Sequence, residues 1–329
     1  MNEKTASSIL TFIGFALLLI GIVAAFYGPL EIYCYYLFSE GGPFHYEGFG
    51  FGSLMFGSIT LQIFGYYAIA WVFLPLGFGH LKKQRWIRNV AVSLLYGWFI
   101  TGIPILLMVL WIFISTKKPS LPALWLSVVI SFLLYTAIPA LLIKFYKTKS
   151  VPLVLKQKGS ALNTLGNLPI PVLMMVFIEV AYLFVFHMLL FFRGIFPFFG
   201  HWLINLRGFY VNSASILLFI SLIIGTVKLS RWAWRVLTAY SALFTGSLLI
   251  TLYRTGIPKL IELLHFPQKE ADALMNIPLK GFHLCFIIGI PLLVSLGVIV
   301  HSRRYFQSWH ETRLPGNEFG KLRNPQEKN

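Results

Sequence analysis

Apolar and polar positions along this chain fall in blocks. Eight apolar runs, Ile9 to Phe26, Ser53 to Leu76, Val90 to Ser115, Leu121 to Ile143, Pro169 to Phe192, Phe209 to Gly225, Val236 to Tyr253 and Gly281 to Val300, are separated by stretches that hold almost all the charge. Continuous runs of about 20 residues have the length a helix needs to cross the hydrocarbon core, whereas barrel strands would be shorter and alternating. The pattern therefore predicts an all-α polytopic membrane protein of eight transmembrane helices. One transmembrane domain is expected over 1–301, followed by a polar tail, 302–329, that is expected to be largely disordered beyond Trp309. Pro104, Pro139 and Pro291 lie inside runs and are expected to kink them, because the ring removes a backbone bond and meets the preceding turn.

The polar blocks carry a recurring phrase. Lys82-Lys83-Gln-Arg85-Trp86-Ile-Arg88 joins the second and third runs, and Lys228-Leu-Ser-Arg231-Trp232-Ala-Trp-Arg235 joins the sixth and seventh. Both read as hairpin turns whose cations meet anionic headgroups and whose tryptophans lie at the membrane interface. Thr101-Gly-Ile-Pro104 returns as Thr255-Gly-Ile-Pro258, and Ile138-Pro139 as Ile290-Pro291. These echoes suggest two four-helix halves, 1–158 and 159–301, in a parallel repeat, although chance matches are common in apolar sequence.

Between runs one and two, the glycine-rich stretch Ser39 to Gly52 reads as an outer loop with aromatic anchors, and Thr116 to Ser120 as a tight turn. Lys144 to Leu168 mixes five lysines with Val151, Leu153, Val154 and Leu155, so part of it is expected to lie flat on the inner leaflet. Arg193 to Arg207 reads as an aromatic outer turn. Leu260, Ile261, Leu263 and Leu264 within Arg254 to Lys280 have the spacing of an amphipathic surface segment.

Charge sets the orientation. The formal net charge is +16. With the amino terminus inside, 19 of the 27 Lys and Arg fall on the inner side, so both termini are expected in the cytoplasm of a cell-membrane protein. The basic balance is thus a topology signal and calls for no nucleic acid. Cys34 and Cys285 form no metal or redox motif. Both fall near the outer face, and two unpaired thiols are the simpler reading than a disulfide.

Candidate chemistry is sparse. Glu179 is the only acid inside a predicted span, near the middle of the fifth run. An ionisable group in hydrocarbon is costly and is a functional-site hypothesis by default. Tyr182, at i+3, shares its face. The competing reading is a protonated carboxyl that hydrogen-bonds a neighbouring helix as packing glue. His187 lies two turns further out, and with Arg193 and Asn212 it is a candidate lining for an outer vestibule. A lone histidine there also reads as an interfacial hydrogen-bonder.

No histidine pair has metal-ligand spacing, and the chain carries no nucleophile elbow, phosphate-binding loop or zinc-protease motif. No cofactor or metal is expected, and enzymatic activity is the less favoured class. The leading expectation is an accessory or assembly component that contacts anionic lipid headgroups and other membrane subunits. The alternative is a small transporter with Glu179 as a proton or cation site, and the third is a lipid-modifying enzyme using outer-loop acids.

Overall fold

The computed structural model describes residues 1–39, 41–44, 53–115, 121–155, 166–264, 268–276 and 280–307. Outside these residues lie most of the glycine-rich stretch before helix two, the turn at 116–120, Lys156 and Lys158, and the tail beyond 307.

The long helices are α1 (Glu3–Phe38), α2 (Leu54–Leu81), α3 (Trp86–Ser115), α7 (Ile170–Phe191), α8 (Asn205–Val227), α9 (Arg231–Leu264) and α11 (Gly281–His301). An eighth span is assembled from α4 (Leu121–Phe132), a π-helical turn (Leu133–Ala137) and α5 (Ile138–Tyr146). Short helices α6 (Ser150–Val154), α10 (Gln268–Met275) and α12 (Arg303–Gln307) complete the helical elements. Eight helices are long and apolar enough to cross a membrane, and the chain is an all-α polytopic membrane protein.

Three local departures from the apolar pattern have physical causes. First, α1 runs on through Pro29 and takes in Tyr27 to Phe38, beyond the end of the first apolar run. At 1.5 Å per residue it is roughly 54 Å long, more than a membrane core requires. Second, Pro139 does not simply bend its helix. The turn before it widens, and the Ile138 amide bonds the Leu133 carbonyl five residues back, which keeps the proline ring off the preceding turn. Gly102 seats that widened turn, since a Cβ there would come within 2.6 Å of Tyr135. Third, the aromatic turn after α7 is a β-hairpin of β1 (Phe196–Phe198) and β2 (His201–Leu203), with Phe198 opposite His201. Phe199 and Gly200 both have positive φ, the geometry of a tight two-residue hairpin turn.

The helices pack in two tiers. α1 and α2 form a close pair through a stripe of small residues. Gly14 abuts the Gly77 carbonyl, and Gly21 abuts Leu74. α3, α7, α8, α9 and α11 form the main body, with α4 and α5 lying beside α3. Side chains fasten the start of α7 on both flanks. Asn89 donates to Gly166 O (2.8 Å) and Ser93 to Ile170 O (3.3 Å), while Ser302 of the α11 end donates to Pro171 O (3.3 Å). α6 docks on α1 with Val151 buried and Leu153 exposed, so only one side of the connection is covered.

The two basic phrases close alike. Gln84 N bonds Gly79 O (3.0 Å) and Ser230 N bonds Gly225 O (2.9 Å), each after one residue of positive φ, Lys83 (51°) and Leu229 (54°). These are six-to-one helix-ending bonds. In each, a tryptophan indole lies on the glycine that accepts. A Cβ on Gly79 would come within 2.8 Å of Trp86, and one on Gly225 within 2.9 Å of Trp232.

Candidate functional site

The seam between α7, α8 and α9 collects the polar groups that the apolar pattern should exclude. Glu179 on α7 has no exposed surface. One carboxyl oxygen accepts from the Thr226 hydroxyl of α8 at 2.6 Å, and the other has no hydrogen-bond partner. The single ion pair found among the described residues, Lys259–Glu262, lies on the exposed end of α9 beyond Gly256. Glu179 therefore sits in an apolar bundle with no ion-pair partner to offset an ionised carboxylate. By residue count it is mid-helix. By contact it faces the last turn of α8, one turn above the Lys228 loop.

Above it, toward the β-hairpin, Tyr182 turns its hydroxyl to Ser241 and Thr245 of α9. All three hydroxyls are buried, and none makes a well-formed hydrogen bond to the protein. Beside them is a bonded pair, Ser215 and Tyr240, at 2.7 Å. Asn212 is enclosed one turn further up α8. Its amide nitrogen donates to Ile195 O (3.2 Å) and Gly208 O (2.9 Å), while its amide oxygen is unpartnered. The rings of Tyr182, Phe186, Phe219 and Phe244 wall this strip, with centroids 5.0–5.7 Å apart between Tyr182 or Phe186 and their neighbours Phe219 and Phe244. Among the described residues, all five buried side chains with an unpartnered polar atom lie on these three helices. Each such atom costs about 1–3 kcal/mol and so calls for a physical reason.

The structure joins some of the residues singled out from sequence and separates others. Glu179, Tyr182 and Asn212 line one seam. His187 turns back to its own helix, bonding Leu183 O at 2.7 Å. Arg193 is a positive-φ residue at the helix exit, and its carbonyl accepts from Asn205 N (2.8 Å). These two do not face Glu179.

At the basic phrases, Lys82, Arg85, Lys228, Arg231 and Arg235 are exposed or nearly so. Lys83 bonds the Ser7 hydroxyl (2.6 Å), and Arg88 bonds Tyr146 O (3.1 Å). Trp232 is 47% exposed, but Trp86 is only 5% exposed. Trp86 is thus a core residue under Gly79 and Gly166, and the expectation of an interface anchor is corrected at that position. Cys34 and Cys285 are both free thiols. No group of three or more His, Cys, Asp or Glu side chains placed to hold a metal occurs among the described residues.

One buried polar pair escaped the sequence reading. His80, fully enclosed, bonds Leu76 O through Nδ1 (2.6 Å) and the Tyr146 hydroxyl through Nε2 (2.5 Å). The carbonyl contact requires the proton on Nδ1, so Nε2 accepts and Tyr146 donates. The signal was just ahead of the phrase. His80 follows Gly79 as Thr226 follows Gly225, so the helix before each phrase ends with a buried polar side chain that reaches another helix. Comparison with family models, with curated proteins and with solved structures finds no match for this chain.

Proposed function

We propose that the protein is a small proton- or cation-coupled membrane transporter, with Glu179 as the coupling acid in the α7–α8–α9 seam. One observation carries the reading: a wholly buried carboxyl with no ion-pair partner keeps one oxygen unpartnered while the other is held by Thr226. A purely structural acid gains by satisfying both oxygens. An acid that must gain and lose a charge gains from a donor that supports the ionised form and a free oxygen to take the proton. The charge count supports a cell-membrane location with both termini in the cytoplasm.

A second reading, an accessory component that binds anionic lipid or other membrane subunits, draws on the Glu179–Thr226 bond as interhelical glue. Gln retains the size and hydrogen bonding of a protonated Glu but cannot ionise. The test is Glu179→Gln, read as ion flux into proteoliposomes and as complementation of a strain lacking the protein. Transport requires both to be lost at wild-type melting temperature. A silent Glu179→Gln, together with a Glu179→Leu that loses about 0.6–2 kcal/mol of stability, establishes the accessory reading instead.

A further inference from the structure

The unpartnered groups lie together on α7, α8 and α9, and their span along the helices suggests what moves. Thr226, the carboxyl's partner, lies near the end of α8, while Asn212 lies four turns back along the same helix, roughly 20 Å toward the hairpin. That is most of a hydrocarbon core about 30 Å thick. Between those levels stand the Tyr182 hydroxyl with Ser241 and Thr245, and the Tyr240–Ser215 pair. Asn212 reaches Ile195 O at the base of the hairpin. Hydroxyl groups both donate and accept, so such a series can hand a proton along with one or two bridging waters.

We infer that the ion moved is the proton, carried between Glu179 and the hairpin side along a water-bridged strip centred on Tyr182, Ser241 and Thr245. This rests on the transport reading and narrows it. A bound metal cation needs several oxygens around it. The carboxyl of Glu179 contacts the Thr226 hydroxyl alone, and that hydroxyl is already donating. A proton needs only one acceptor. In the transfer the O–H bond of the protonated carboxyl breaks, and the proton passes to a bridging water in the strip. The carboxylate keeps its bond from Thr226, and the reverse step restores the acid. The rings of Tyr182, Phe186, Phe219 and Phe244 wall the strip with apolar surface, which favours small carriers such as water and protons.

The test follows the proton itself. Full-length protein in lipid nanodiscs is moved into D₂O, and the infrared carbonyl band of the protonated carboxyl, identified by its loss in Glu179→Gln, is timed as it shifts. Exchange is expected in the native protein. It should slow by about tenfold or more, one hydrogen bond's worth of barrier, in Tyr182→Phe and in Ser241→Ala with Thr245→Val. Thr245→Ser should restore the native rate. None of the removed hydroxyls makes a well-formed bond to the protein, so melting temperatures should change little.

Native exchange rates in both hydroxyl-deleted proteins would overturn the strip while leaving Glu179 as a coupling acid, provided Glu179→Gln still abolishes flux. A sodium flux that depends on Glu179, with no proton flux, would overturn the proton and spare transport. A protonated band that never exchanges would overturn both.

Discussion

Two residues, His80 and Tyr146, show how much a single buried hydrogen bond decides. Each is enclosed, and each leaves a strong polar group unsatisfied if the other is truncated. Tyr146→Phe should therefore cost about 1–3 kcal/mol, whereas Tyr146→Phe combined with His80→Leu should recover most of that loss. Melting of the purified single and double variants measures the difference. Additive losses would mean that the pair is not coupled. Glu179 was legible from sequence because one acid in an apolar run is conspicuous whatever surrounds it. Its partner Thr226 was not, since threonine is common in membrane helices and only packing brings it within 2.6 Å. Ser241 and Thr245 were invisible for the same reason.

Among the elements, the β-hairpin depends on α9 more than on itself. Three-residue strands cannot stand alone. Here α9 supplies the missing bonds through side chains: Ser247 accepts from Phe199 N (2.9 Å) and donates to Pro197 O (2.9 Å), Thr251 accepts from Gly200 N (2.9 Å), and Thr255 accepts from the Trp202 indole (2.8 Å). Ser247→Ala with Thr251→Val should speed amide exchange at Phe199 and Gly200 by about tenfold or more, while amides in mid α7 keep their protection. Unchanged exchange at those two amides would show that the strand pair holds itself. The repeated Thr-Gly-Ile-Pro words also part company at this scale. Gly102 stays helical and gives room to Tyr135, whereas Gly256 takes φ 61° and ends the transmembrane part of α9. The same four residues serve a close contact in one place and a helix exit in the other.

For the molecule as a whole, orientation is the outstanding prediction. Reporter fusions after Asn89, Lys149, Arg235 and the carboxyl terminus should report cytoplasm, and fusions at Gly42, Arg207 and Lys269 the opposite side. A cytoplasmic signal at Lys269 would contradict both the span count and the orientation. Changing Lys82, Lys83, Arg85 and Arg88 together to Gln should lower abundance or mix the topology. Full abundance in a single orientation would show that these four cations do not orient the chain. The two halves do not interlock symmetrically. α3 packs on both α7 and α11, while α9 makes no comparable contact with α1 among the described residues.

Hydropathy by itself determined the class, the number of spans and the place of the single mid-span acid, because burying backbone in lipid forces continuous apolar helices whatever the neighbours are. It also located both phrase turns, where charge interrupts the apolar runs. Lipid-facing and core-facing residues are equally apolar, so periodicity carries no record of which helix faces which. Only the tertiary structure could decide that Trp86 is core while Trp232 is surface, that His80 meets Tyr146, and that the orphaned hydroxyls of α9 turn toward Glu179's helix. Those outcomes depend on contacts such as His80 with Tyr146, 66 positions apart, and Trp86 with Gly166, 80 positions apart, which no local pattern encodes.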